Sequence, residues 1–234
     1  MGAVFRREVL SYFTSPIGYI FLAAFYAFSA FFFASSSLQA GSTDMSSMFE
    51  SLMLLLVVLI PILTMRTMSE DKKTKTDQCL LTAPVSLGGI VAGKFFAALL
   101  VYTCAVAVTV VYAIIVSGYA AVDWLVIAGN VVGLELFGAS FVAVGIFCSS
   151  LTENQVVAAV TSFISTLALT MLSLVSNLVN WEPLQKLLAT LSFYDRYAGF
   201  TYGMFDLSNV LFFVSAIAVF LFFTVRVLEK RRWA

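Results

Sequence analysis

Six long runs of mainly apolar residues divide this sequence, and they constrain its fold more than any other feature. A helix needs about 20 apolar residues to cross a bilayer. Six crossings take about half of the 234 residues, so no large soluble domain fits beside them. We predict one all-α polytopic membrane domain over residues 1–234, with six transmembrane helices at 17–35, 49–65, 90–116, 124–147, 156–179 and 207–225.

The distribution of Lys and Arg along the chain indicates its orientation. With six crossings, both termini lie on the same side of the membrane. Eleven of the thirteen basic residues lie in or beside the segments on that side, and only Lys186 and Arg196 lie on the other side. Basic residues concentrate on the cytoplasmic side of membrane proteins. We therefore predict a multi-pass membrane protein with both termini in the cytoplasm.

Composition excludes several classes of function. The sequence has no histidine, and Cys79, Cys104 and Cys148 form no C-x-x-C pair, which excludes His-dependent catalysis and the common zinc sites. Acidic and basic residues balance, which argues against a nucleic-acid partner. We expect no catalytic residue, metal ion or cofactor in this chain.

The segment Gly88–Lys94 matches most of a Walker A phosphate loop. The next residue is Phe95, where the motif needs a Ser or Thr hydroxyl for Mg²⁺, and no strand precedes the segment. We therefore reject nucleotide binding here. Instead, we expect Lys94 to extend from the start of the third span to the lipid headgroups.

Two segments outside the spans have the composition of interfacial helices. Residues 3–14 place apolar side chains on one helix face and Arg6, Arg7 and Glu8 on the other, which predicts a short interfacial helix. Residues 180–206 are semi-apolar and rich in Trp, Tyr and Phe, residues that favour the membrane interface. We predict short re-entrant or interfacial helices there, on the extracellular side.

The most densely charged segment lies between the second and third spans. Thr67 and Glu70 form a capping-box pattern, and Ser69 is an alternative helix start. Pro84 sets the end, because the residue before a proline resists the α conformation. We predict a cytoplasmic helix over 69–83. The basic residues also suit a loop that rests on anionic membrane lipid, and composition alone leaves both interpretations open.

Glu135 is the one acid placed deep within an apolar run. An ionisable group at such a depth is a functional candidate by default. The alternatives are a structural carboxyl that is protonated or hydrogen-bonded, or the proton or ion site of a secondary transporter or channel.

Small residues recur in the third and fourth spans. Gly89 with Gly93 and Gly129 with Gly133 are G-x-x-x-G pairs, and the second series continues to Gly145. Such faces let membrane helices approach closely. We predict helix packing at these faces, with a subunit interface as an alternative use.

Five motifs occur in order along this six-span frame. They are Phe5–Glu8 with Tyr12–Tyr19, Arg66–Glu70 with Leu80–Ser86, Gly93-Lys94, Gly145–Gln155, and Phe200–Leu207. Together they resemble the permease subunits of the type-two ABC (ABC-2) exporter family, most closely its gliding-motility-type branch. The likeness covers essentially the whole chain.

The resemblance implies an exporter permease in the inner or plasma membrane of a bacterium, whose energy comes from partner chains. The helix over 69–83 would be the coupling helix that docks on a separate ATPase subunit, and that subunit would bind ATP and Mg²⁺. Residues 180–206 would form the extracellular gate. Two permease chains, identical or paralogous, would pair with two ATPases and export a substrate that the weakly charged spans suggest is amphiphilic. The residues expected at the ATPase contact are Glu70, Asp71, Asp77, Leu80, Leu81, Thr82 and Pro84.

Overall fold

The computed structural model describes residues 2–39, 41, 43–76, 86–119, 121–178, 181–201, 203 and 206–232. Within these ranges the regular elements are all helices, which confirms the all-α prediction. In chain order they are α1 Gly2–Thr14, α2 Pro16–Phe33, α3 Ser46–Thr64, α4 Arg66–Lys73, α5 Leu87–Ser117, α6 Trp124–Leu151, α7 Gln155–Leu178, α8 Glu182–Leu191, α9 Phe193–Thr201 and α10 Leu207–Arg232.

Six helices in the described part of the chain are long and apolar enough to cross a membrane, as predicted. They are α2, which continues as a π-helical turn over Ala34–Leu38, and α3, α5, α6, α7 and α10. The second of these candidate spans runs from α3 into α4, because Met65 alone separates the two helices and is itself helical in conformation.

Helix α6 forms the centre of the bundle. In its most apolar stretch 72% of the residues are buried, whereas the corresponding value for α10 is 11%. Glycines make this possible: Gly138 lies against the Tyr102 ring of α5, and Gly145 lies against Thr64 of α3. The small residues of α6 therefore pack inside the chain, and the alternative of a subunit interface at Gly133–Gly145 is wrong.

Helix α1 lies across the start of α5. A Cβ atom on Gly93 would come within 3.2 Å of Val4 Cγ1 and 3.3 Å of the Phe5 nitrogen, so the glycine allows the two backbones to approach closely. The buried residues of α1 are Val4, Glu8 and Tyr12. The sequence prediction that Glu8 lies on the polar, outward face is therefore wrong, because the face of α1 that packs on α5 includes Glu8.

The predicted helix over 69–83 also differs from the structure. Helix α4 begins at Arg66, three residues early, and ends at Lys73. Thr74 and Lys75 then form a turn in which Lys75 has a φ of 57°, a left-handed value that no α-helix continues through. Residues 77–85 lie outside the described part of the chain.

Two short helices occupy the segment predicted to form short helices before the last span. Helix α8 carries exposed Trp181 just before its first residue, and α9 follows after Ser192. Helix α9 buries Phe193, Tyr197 and Phe200 against the bundle, with Phe200 seated over Gly133 of α6. This aromatic face holds α9 at the end of the bundle opposite to α1 and α4, and α8 packs beside it against α7.

Candidate functional site

A buried lysine joins three helices at the end of the bundle that holds α1 and α4. The side chain of Lys94 is 1% exposed, and its Nζ lies 3.0 Å from Glu8 Oε1 of α1 and 2.5 Å from Asp71 Oδ2 of α4. Nζ also donates a hydrogen bond of 2.6 Å to the Thr67 carbonyl. The expectation that Lys94 reaches the lipid headgroups is wrong, because α1 covers the start of α5.

Arg7 completes this charge cluster, which consists of Arg7, Glu8, Asp71 and Lys94. Its Nη2 donates to Glu8 Oε1 at 2.6 Å and to both carboxylate oxygens of Asp71 at 3.2 Å. Partial burial lowers the pKa of Arg7, but the Glu8 and Asp71 carboxylates outweigh that effect and the net pKa is raised. Two cations and two anions thus neutralise one another around the buried Lys94 ammonium, which a buried charge requires.

The start of α4 is held from another helix rather than by a local cap. The backbone N–H groups of Met68 and Ser69 donate to Ser149 Oγ of α6 at 3.1 and 3.0 Å, and Ser149 Oγ donates to the Met65 carbonyl at 3.0 Å. The predicted capping box is wrong, since Thr67 already lies inside the helix. Its hydroxyl instead shares a 3.1 Å hydrogen bond with the hydroxyl of Tyr12.

Helix α4 is thus attached to α1, α5 and α6 at once. Tyr12 of α1 also donates to the Leu63 carbonyl at 3.3 Å, and Lys72 of α4 donates to the Ser150 carbonyl at the end of α6. Burial raises the pKa of the Tyr12 phenol, so this hydroxyl stays protonated at neutral pH. A displacement of α4 would therefore be passed to all three helices.

The predicted ATPase-contact residues divide into two groups. Glu70 forms an ion pair with Arg66 within α4, and Asp71 belongs to the charge cluster. Both carboxylates therefore have partners within this chain. Both also line a cleft of about 250 Å³ between α1 and α4. The remaining residues, outside the described part of the chain, are Asp77, Leu80, Leu81, Thr82 and Pro84.

Glu135 is not part of the charge cluster. It lies half-buried near the middle of α6, where the Thr103 hydroxyl of α5 donates a hydrogen bond to its Oε1. This hydrogen bond matches the structural interpretation of Glu135 weighed from the sequence.

Four residues of the charge cluster and the α4 attachment were not predicted from the sequence as site residues: Arg7, Glu8, Lys94 and Ser149. Lys94 is a charged residue between Gly93 and Phe95 in an otherwise apolar stretch, which is a usable signal for burial. Glu8 follows two arginines, and no local pattern separates it from a solvated residue. Ser149 lies in one of the motifs quoted above, yet its contact with α4 depends on how α6 ends beside α3, which no local pattern contains.

The sequence of this chain matches a known protein family. Residues 6–173, from α1 to most of α7, match the family described as ABC-2 family transporter protein. The match covers well over half of the chain, so the protein belongs to the ABC-2 transporter family and is a multi-pass membrane permease of the ABC transporter class. Comparison with curated proteins found no matching relative.

Proposed function

We propose that this chain is the permease subunit of an ATP-driven exporter of the gliding-motility-type branch. Separate ATPase subunits would bind ATP and Mg²⁺, and their contact with the permease would lie at α4 and residues 77–85. The observation that carries the proposal is the attachment of α4 to α1, α5 and α6 in a chain of the ABC-2 family.

The proposed transmission follows from these contacts. An ATPase that moves residues 77–85 would pull on α4, because only the three residues 74–76 separate them from the end of that helix. Because the charge cluster and Ser149 attach α4 to three other helices, the movement would tilt them as a unit rather than bend one loop. Helix α6 would then carry the movement towards the far end of the bundle, where it packs against α9 through Gly133 and Phe200.

The charge distribution supports the proposed orientation, with the end that carries α1, α4 and both termini in the cytoplasm. Helices α8 and α9 would then form the extracellular gate. In the apolar stretches of α2 and α7 only 28% and 22% of the residues are buried. We propose that these faces, with α3, line a central cavity beside a second permease chain. An amphiphilic substrate would be exported through this cavity.

The test is the composition and activity of the complex purified through a tag on this chain. The proposal expects an ATPase to co-purify in about equal amount and to hydrolyse ATP. Replacing Leu80 and Leu81 together by alanine is expected to abolish ATPase recovery while the permease remains in the membrane. Leu184→Ala with Leu191→Ala, a matched pair of leucines in α8 at the opposite end, is the control and should keep the ATPase.

Two results would contradict this proposal. One is full ATPase recovery with the Leu80 and Leu81 double variant. The other is transport by the purified chain alone in liposomes, driven by a pH gradient and lost in Glu135→Gln, since that result would assign the chain to the secondary transporters.

A further inference from the structure

A polar pocket lies at the end of the bundle opposite to the charge cluster. It has a volume of about 350 Å³ and lies between the start of α3, the start of α6 and the last residue of α9. Its size falls within the range of small-molecule sites, about 300–1,000 Å³. Its polar lining residues include Asp44, Asp123, Asn130 and Thr201.

The buried part of this pocket holds two oxygens that lack partners. Asn130 is 1% exposed and Thr201 is 4% exposed, and Asn130 Oδ1 and Thr201 Oγ1 have no hydrogen-bond partner among the described residues. The Asn130 amide cannot simply be turned over, because its Nδ2 donates to the carbonyls of Val126 at 2.9 Å and Thr201 at 3.5 Å. A buried polar atom without a partner is costly, so these oxygens are suited to a hydrogen-bond donor that enters the pocket.

The pocket is also negatively charged. Asp123 Oδ1 accepts from the Leu125 N–H at 3.0 Å and Asp44 Oδ1 accepts from the Ser46 N–H at 2.9 Å, so both carboxylates are fixed at the starts of helices. The described residues that line the pocket include no Lys or Arg, and neither do the sequence neighbourhoods 39–48, 118–132 and 197–206 around them. A ligand here would therefore meet two carboxylates and no competing cation from the described lining residues.

We propose that this pocket binds the ammonium group of a small organic cation. An ammonium supplies N–H donors to Asn130 Oδ1 and Thr201 Oγ1 and a positive charge to Asp44 and Asp123. A directly coordinated metal ion fits less well, because in the described part of the chain no three His, Cys, Asp or Glu side chains group together. The volume also exceeds what a bare ion fills.

The ammonium has two sources at a membrane surface, the ethanolamine headgroup of a lipid and a free amine in solution. Both offer the same donor chemistry. This inference does not depend on the proposed exporter function, since it concerns the opposite end of the molecule and is tested by binding.

The test is calorimetric titration of the full chain in phosphatidylcholine nanodiscs with 2-phenylethylamine, which is protonated at neutral pH. The neutral isostere 2-phenylethanol is the ligand control. We expect the amine to bind and the alcohol to bind at least about tenfold more weakly, the usual effect of losing a charge-assisted hydrogen bond. Repeating the titration in phosphatidylethanolamine nanodiscs separates the sources: weaker apparent binding identifies the headgroup, and unchanged binding identifies a free amine.

Three variants locate the site. Asp123→Asn removes the charge but keeps a good helix cap, and we expect binding to weaken about tenfold or more. Thr201→Val removes the hydroxyl with little change of shape, and a smaller loss is expected. Asp206→Asn is the matched control, because Asp206 also accepts a helix-start N–H, from Ser208 at 2.9 Å, and does not line the pocket.

Equal binding of amine and alcohol would overturn the proposal, as would an equal loss in Asp123→Asn and Asp206→Asn. Thermal stabilisation by millimolar CaCl₂ without any binding of the amine would overturn it in favour of a metal site. An unchanged affinity in both Asp123→Asn and Thr201→Val would place the amine elsewhere on the protein.

Discussion

Lys94 and Ser149 show how single residues organise the end of this molecule that holds α4. Lys94 is a long cation enclosed by helices, with carboxylate partners supplied from both α1 and α4. Ser149 is a short side chain whose one oxygen serves three backbone groups of the α3–α4 connection. Both residues join elements that are far apart in the sequence, so both should matter more than their local surroundings indicate.

Replacing Lys94 by Met should strongly destabilise the protein. The change leaves Glu8 and Asp71 with Arg7 alone as a counter-ion, and breaking a buried ion pair typically costs about 3–5 kcal/mol. The midpoint of thermal unfolding in detergent measures the effect, and exposed Lys73→Met is the control. Adding Asp71→Asn to Lys94→Met should recover part of the loss, and a double variant less stable than the single one would contradict the charge cluster.

Replacing Ser149 by Ala should loosen α4. Two backbone N–H groups lose their acceptor, at a cost of about 1–3 kcal/mol, and hydrogen exchange of the Met68 and Ser69 amides should quicken. Ser150→Ala is a close control, because the Ser150 hydroxyl donates only to Phe147 within α6 and its backbone carbonyl, which Lys72 uses, remains. Equal exchange rates in the two variants would argue against this capping role.

At the scale of elements, α6 determines how the other helices are arranged. It packs against α3, α4, α5, α7, α9 and α10, and its glycines set how close several of them come. Tyr102 of α5 lies against Gly138 and donates to the Leu134 carbonyl at 2.5 Å, so its hydroxyl is satisfied although fully buried. The distance between α5 and α6 is therefore set by a glycine, whose lack of a side chain leaves room for the Tyr102 ring.

Gly138→Ala should destabilise the bundle even though alanine is the better helix former. The added Cβ would overlap the Tyr102 ring, and overpacking of this kind costs about 1–3 kcal/mol. Gly88→Ala at the start of α5 has nothing within 4 Å of the new Cβ and should be neutral or slightly stabilising. Thermal unfolding of the two variants in the same detergent checks the opposite signs. A stabilised Gly138→Ala would mean that α5 and α6 lie farther apart.

At the scale of the whole molecule, the two ends of the bundle have different chemistry. One end holds the charge cluster, α4 and most of the basic residues, and the other holds the aromatic helix α9 and an acidic pocket without Lys or Arg in its segments. This asymmetry matches the proposed orientation, because the membrane sorts basic residues to the cytoplasmic side.

The orientation predicts which positions a membrane-impermeant maleimide can label. With Cys79, Cys104 and Cys148 replaced by Ser, Tyr119→Cys should react in intact spheroplasts, since Tyr119 is 87% exposed just after α5. Lys75→Cys, exposed just after α4, should react only after lysis. The reverse pattern would place the charge cluster outside and contradict the proposed ATPase contact.

The sequence alone was sufficient for the class of fold, because the length and spacing of six apolar runs leave few alternatives in a membrane. It also indicated the family and the general position of the helices between the fifth and sixth spans. Besides the bounds of the helix predicted over 69–83 and the alternative of a subunit interface on α6, its errors concern single polar residues. Glu8 was placed on an outward face, Lys94 at the headgroups, and Thr67 in a helix cap. Helical periodicity shows which residues share a face of a helix, but it does not show which neighbour covers that face.

Only the tertiary structure decided these three points, since each depends on contact between helices distant in sequence. Helix α1 covers Lys94 because Gly93 lets the two backbones approach, and Ser149 holds α4 because α6 ends beside α3. The acidic pocket arises in the same way, from three segments whose separate sequences carry no shared motif. The chain's own composition determines that it spans a membrane, whereas packing around α6 determines which of its few charged groups meet.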